Sequence, residues 1–285
     1  MRKVLFAIIF FIFCLQSYAQ NIDFFPYSKN YNNAIDSILA ANGQKALCGD
    51  ISIFEKGISD FDLAKLSNKD LRFLRNMIYA KHGHIFTSED LTKYYSNFEW
   101  YKPVRKVSDT DLTENELRLI ERIKLFETRN ENSKTKTKNS ELIGFWQDDL
   151  PVVAAGYCEG FVFLNDSELN WRVSEMGTLK AFYGYEGTYE IKGNVLIYYV
   201  KTTAYLEAVP NYEGWIPEYE TYKDWGKDSH LNTITFSKPL VFKFPISEVL
   251  QKDVQWWDNK IPRVTVQIGS DEFYRILENT EELYK

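Results

Sequence analysis

Residues 71–103 read LRFLRNMIYAKHGHIFTSEDLTKYYSNFEWYKP. Leu71, Leu74, Met77 and Ile78 recur at spacings of three and four, which places them on one face of a helix. Ser67-Asn68-Lys69-Asp70 just before them has the form of a capping box, with Asp one methylene shorter than the usual Glu. Gly83 is a natural stop, since it adopts a left-handed conformation without a Cβ clash. A second helix is predicted from Thr87 or Ser88, carrying Leu91, Tyr94 and Tyr95. Trp100-Tyr101-Lys102-Pro103 should end it, because the residue before a proline avoids helical geometry.

Working outward, Thr113-Glu114-Asn115-Glu116 is a full capping box. It opens a third predicted helix with the apolar stripe Leu117, Ile120, Ile123 and Phe126. Residues 61–129 thus form a small three-helix module. Residues 20–60 precede it, with a short helix expected over Asn33–Asn42, Gly43 as its stop, and a strand over Ile51–Phe54. Residues 130–139, NENSKTKTKN, contain no apolar side chain and read as a solvated linker.

From Ser140 the composition shifts to Tyr, Phe, Trp, Val and Ile. Gly187–Lys192, Gly193-Asn194 and Val195–Tyr199 spell strand, turn, strand, a β-hairpin. Leu231–Phe236, Leu240–Phe244 and Val264–Ile268 read as further strands, and Ser270–Tyr284 as a short closing helix. Many short strands without long helices between them imply an antiparallel barrel or sandwich over residues 140–285. The expected class is α+β and multidomain, a three-helix module followed by an antiparallel all-β barrel or sandwich. Gly144-Phe145-Trp146 at the first strand resembles the Gly-x-Trp of lipocalin-like barrels.

Leu71, Arg72, Leu74, Arg75, Asn76, Ile78, Tyr79, Ala80, His82, Gly83, Phe86, Leu91, Trp100, Tyr101 and Pro103 together resemble the YARHG domain, over about residues 61–129. YAKHG stands here at 79–83, so Lys81 replaces the family's arginine and loses its planar fork. The resemblance implies a small module outside the cytoplasm. It carries over no catalytic residue, because none is established for that family.

Residues 1–19 read as a secretory signal: Arg2 and Lys3, an apolar run from Val4 to Leu15, then Ser17-Tyr18-Ala19, with cleavage after Ala19. The run is short of the roughly 20 apolar residues of a spanning helix. Phe13 before Cys14 is the wrong neighbour for a lipid-modified cysteine. No later segment is apolar enough to span a bilayer. Losing Arg2 and Lys3 takes the net charge from −6 to −8, which argues against nucleic acid as a partner. Residues 60–130 hold 13 Lys/Arg against 12 Asp/Glu, and residues 140–285 hold 13 against 23. That contrast suggests two units with different surfaces. Cys48 and Cys158 are a candidate disulfide in an oxidising compartment, or else two small buried thiols.

Arg72, Arg75, Asn76, Tyr79 and His82 fall along one side of the first helix. They form a candidate anion site, or a set of polar braces between the helix and its loops; so small a module favours the braces. His82 and His84 lack the further ligands a zinc site needs, and no metal or cofactor is assigned. In the β region, PNYEGWIPEYETYKDWGKD (210–228) interleaves Tyr212, Trp215, Tyr219, Tyr222 and Trp225 with carboxylates. Such a surface suits sugar stacking or a basic peptide; the alternative is an aromatic plug over its own barrel. Serine-hydrolase, phosphate-loop and dinucleotide motifs are absent, and no catalytic residue is assigned. The leading reading is an exported, non-enzymatic binder of a glycan, peptidoglycan fragment or peptide. Its competitors are an envelope hydrolase using carboxylates or a thiol of the β region, and a structural adaptor without a small ligand.

Overall fold

A computed structural model describes residues 39–148, 158–172, 182–207, 230–256 and 259–280. Seven α-helices lie among them: α1 (Asn42–Leu47), α2 (Ile53–Lys56), α3 (Asp60–Ala64), α4 (Asn68–Lys81), α5 (Glu89–Tyr95), α6 (Glu114–Glu127) and α7 (Asn139–Leu142). Nine strands follow: β1 (Gly144–Gln147), β2 (Gly160–Phe163), β3 (Glu168–Arg172), β4 (Phe182–Lys192), β5 (Val195–Glu207), β6 (His230–Pro245), β7 (Leu250–Trp256), β8 (Asn259–Ile268) and β9 (Asp271–Leu277). The class is α+β, a helical module followed by an antiparallel sheet.

Helix α4 starts where Ser67 accepts the Asp70 N–H. Asp70 takes the Ser67 hydroxyl at 2.6 Å. The helix stops at Gly83, where φ is 79°. The Gly83 N–H donates to the Ala80 carbonyl at 2.9 Å and the His84 N–H to the Tyr79 carbonyl at 3.2 Å, the paired closure of a Schellman motif. Leu71, Leu74, Met77 and Ile78 are all buried. In α6 the Thr113–Glu116 capping box is complete, and Ile120, Ile123 and Phe126 face inward.

Local expectations fail in four places. Gly43 lies inside α1 rather than after a helix, because a Cβ there would press on Leu66 at 3.1 Å and the Asp62 carbonyl at 3.3 Å. Residues 51–54 turn into α2 instead of forming a strand. Helix α5 ends at Tyr95, ahead of the Trp100–Pro103 stop. Ser96 Oγ donates to the Thr92 carbonyl at 2.7 Å, and Asn97 Nδ2 to the Lys93 and Tyr94 carbonyls at 3.0 and 3.1 Å. The Asn97 side chain occupies the acceptors that the next turn would use. Residues 271–277 are strand β9, not a helix, because they pair on both sides, with β1 and with β8.

All nine strands join one antiparallel sheet in the order β6-β5-β4-β3-β2-β1-β9-β8-β7. The β4–β5 hairpin turns through Gly193-Asn194, with φ of 61° at Gly193, where a type II′ turn needs its glycine. No ladder joins β6 to β7, so the sheet is not closed, although Ile246 bridges Ile268 at the bend between them. The sheet is strongly curled. Strands β2 and β6 are four places apart, about 19 Å across a flat sheet, yet the Phe161 and Phe244 rings lie 5.8 Å apart.

The helices fill the hollow of that curl. The Phe61 ring on α3 lies 5.0 Å from Trp171, 5.1 Å from Tyr185, Phe242 and Phe244, and 6.3 Å from Phe161. The two regions therefore share one apolar interior, where the change in composition suggested separate ones. Polar groups lock the joint. Asp60 accepts the Ser270 N–H at 2.5 Å, its hydroxyl at 2.9 Å and Arg122 Nη2 at 2.6 Å. Arg129 donates to the carbonyls of Ala64, Leu66 and Lys243, and burial lowers its pKa to about 10. Segment 130–139 is mostly exposed but pinned: the Asn130 N–H meets Asn194 Oδ1 at 2.7 Å, and buried Thr137 donates to the Ser247 carbonyl at 2.7 Å.

Candidate functional site

The row Arg72, Arg75, Asn76, Tyr79 and His82 runs along α4, and the helix period brings these residues to one side of it. Arg72 reaches Asp90 at 2.5 and 3.3 Å and Ser88 at 3.1 Å, tying α4 to the start of α5. Arg75 Nε lies 3.1 Å from both oxygens of Glu127 at the end of α6. Asn76 donates to the Arg72 carbonyl of its own helix at 2.8 Å. The Tyr79 hydroxyl donates to Asp109 at 2.7 Å. His82 Nε2 and Lys81 Nζ meet the same oxygen of Glu116 at 2.9 and 3.0 Å.

Glu116 is the hub of this arrangement. It is buried, and it accepts the Thr113 N–H at 2.9 Å as well. Burial pushes its carboxyl up, but the Thr113 amide, His82 and Lys81 outweigh that and hold it at about 2. Tyr79 is pushed up to about 12, by burial first and then by the Asp109 hydrogen bond. The Arg72 guanidinium, with help from Ser88, holds Asp90 well below the usual carboxylate range.

A second set of polar tips ties the loops. The Tyr101 hydroxyl donates to the His84 carbonyl at 2.7 Å, the Val107 N–H to His84 Nδ1 at 2.9 Å, and Trp100 Nε1 to the Gly49 carbonyl at 2.9 Å. Phe86 stacks on Tyr95 at 5.0 Å, and Phe98 on Trp100 at 5.3 Å. Each charged or hydroxyl member of the α4 row thus has a carboxylate partner inside the module. Those partners, Asp90, Asp109, Glu116 and Glu127, were not visible from sequence. Only Glu116 had a local signal, its place in the capping box.

Lysine suffices at position 81 because its ammonium makes one point contact with Glu116; a planar fork is not required there. His82 and His84 face different partners. Among the described residues, no group of three or more His, Cys, Asp or Glu is placed to hold a metal ion. Cys48 and Cys158, the candidate disulfide residues, are both among the described residues. The two residues belong to different layers. Cys48 caps α1, and Cys158 precedes β2, where its N–H bonds Gln147 Oε1 at 3.2 Å. Tyr212, Trp215, Tyr219, Tyr222 and Trp225 lie outside the described residues, within the stretch 208–229 that joins β5 to β6.

At the head of β1, Trp146 is fully buried, with Nε1 donating to the Leu142 carbonyl at 2.6 Å and the Arg275 guanidinium 5.4 Å from its ring centroid. No helix among the described residues is long and apolar enough to cross a membrane. No curated protein and no solved structure matches the chain. Residues 54–128 match the family model of the YARHG domain, so the helical module is a YARHG domain, a type generally found in extracellular or periplasmic proteins and of unestablished function.

Proposed function

We infer that the protein is an exported, non-enzymatic binding protein of the cell envelope or extracellular space. Its signal peptide is cleaved after Ala19, and its ligand is a glycan, a peptidoglycan fragment or a peptide. The β region carries the ligand site and the YARHG domain serves as scaffold, its polar row working as braces.

One observation carries this reading, the asymmetry of the connections in the β1–β6 meander. Neighbouring antiparallel strands put alternate connections at opposite ends of the sheet. At one end the links are Leu164–Ser167 and Gly193-Asn194, four and two residues. Both contact the segment that follows the helices: Asn139 Nδ2 meets the Asp166 carbonyl at 2.6 Å, and the Asn130 N–H meets Asn194. The links 148–159, 173–181 and 208–229 all leave from the other end, and they are long. Long connections gathered at one end of a rigid sheet are where recognition residues concentrate. The longest holds Tyr212, Trp215, Tyr219, Tyr222 and Trp225 among carboxylates.

The test is a glycan and muropeptide binding screen on the chain from Gln20 to Lys285, repeated with Trp215→Ala and Trp225→Ala. Loss of an aromatic stacking face should weaken a bound glycan by about tenfold. A screen with no binder, or binders indifferent to both substitutions, would overturn the reading.

A further inference from the structure

Four large apolar side chains stand exposed among the described residues, and two of them sit together on the YARHG domain: Val104, 71% exposed, and Ile85, 44%. They occupy two short segments laid side by side. The Val104 N–H donates to the Gly83 carbonyl at 2.9 Å and the Ile85 N–H to the Arg105 carbonyl at 2.9 Å, with a parallel bridge between His84 and Arg105. The outer segment, Lys102-Pro103-Val104-Arg105-Lys106, is exposed throughout, between buried Tyr101 and Val107.

This segment is held rigidly. Tyr101 and Val107 are each tied to His84 by the hydrogen bonds already described. A Cβ at Gly83 would lie 2.8 Å from the Lys102 carbonyl and 2.9 Å from Val104 Cγ2. Residues of the family motif therefore fix a bare apolar tip in place. Cations flank it. Arg105 shares Asp111 at 2.6 Å, whereas Lys102 and Lys106 make no ion pair among the described residues.

We propose that Lys102–Lys106, together with Ile85, is a docking surface for an anionic lipid bilayer. Val104 and Ile85 enter the headgroup layer while Lys102 and Lys106 meet lipid phosphates. An apolar tip set between two lysines matches both components of such an interface. A soluble polyanion would engage the lysines and gain nothing from Val104. This surface lies on the helical module and stands apart from the ligand site placed on the β region.

The test is vesicle flotation of the chain from Gln20 to Lys285 with phosphatidylcholine vesicles, with and without phosphatidylglycerol. The protein should float with the anionic vesicles only and be released by high salt. Val104→Asp and the double variant Lys102→Glu/Lys106→Glu should each lower partitioning by about tenfold. All three positions are exposed, and unchanged circular dichroism would show that the variants fold. Failure to bind anionic vesicles, or equal binding to neutral ones, would overturn the proposal. So would wild-type binding by Val104→Asp beside a weakened lysine variant, the signature of a soluble polyanion.

Discussion

The helical module and the sheet bury comparable apolar side chains but fix their geometry by different means. In the module, the side of α4 that bears Arg75, Tyr79 and His82 is fastened to carboxylates on α6 and the turn before it. In the sheet, aromatic rings interdigitate over a backbone ladder: Phe161, Tyr185, Tyr198, Phe242 and Phe244 are all fully buried. A module of short helices has little core of its own, so paired charges supply orientation. A nine-stranded sheet obtains orientation from its register. Sequence motifs rich in Arg, Tyr and His can thus mark scaffolding as readily as binding.

The largest effect should come from the residue that joins the two regions. Phe61→Ala removes the ring seated among β2, β3, β4 and β6 and should cost about 3 kcal/mol. Urea unfolding of the parent chain should be one transition by both circular dichroism and tryptophan fluorescence. In the variant the two signals should separate; transitions that stay coincident would mean the regions are coupled elsewhere. Next, Gly83→Ala should cost about 2 kcal/mol, since alanine is strained at φ 79° and its Cβ meets the Lys102 carbonyl. Thermal unfolding followed by helix signal reads that directly.

Glu116→Gln tests whether the braces matter energetically. A carboxyl held at about 2 in the folded chain, against an ordinary 4.5, adds stability that is complete above about pH 4.5 and fades as the pH falls toward 2. The substitution should cost about 2 kcal/mol at neutral pH and flatten the stability profile across that acid range. An unchanged profile would move the organising role away from Glu116. The smallest effect is expected for Arg72→Ala, whose pair with Asp90 is solvent-exposed. Its midpoint should barely move, and high salt should erase the difference.

Much of this was legible along the chain, and the failures share a cause. Helices α4 and α6 announce themselves through caps and a 3.6-residue period, and the Gly193-Asn194 hairpin through its turn. The capping boxes and the glycine stop are local, so sequence shows them. Asp271–Leu277 reads as helix because its alternation is weak, and only the flanking strands β1 and β8 make it a strand. Gly43 reads as a stop because its real constraint, the close approach of Leu66 and Asp62, comes from residues about 20 positions along the chain. The spacing of the α4 row is a local signal, while its partners lie 18 to 52 residues away, beyond any local signal.

The placement of β9 has a consequence for how the chain is made. Phe145 pairs with Leu277, and Asp60 bonds Ser270 across 210 residues. The concave interior therefore cannot be completed until residue 277 has been synthesised, since β1 lacks one neighbour and Asp60 its partner before then. Contacts of such span slow folding, because distant segments must meet before the ordering is compensated. A polypeptide wired this way stays loose through most of its synthesis, and it sets only after the last strands have been made.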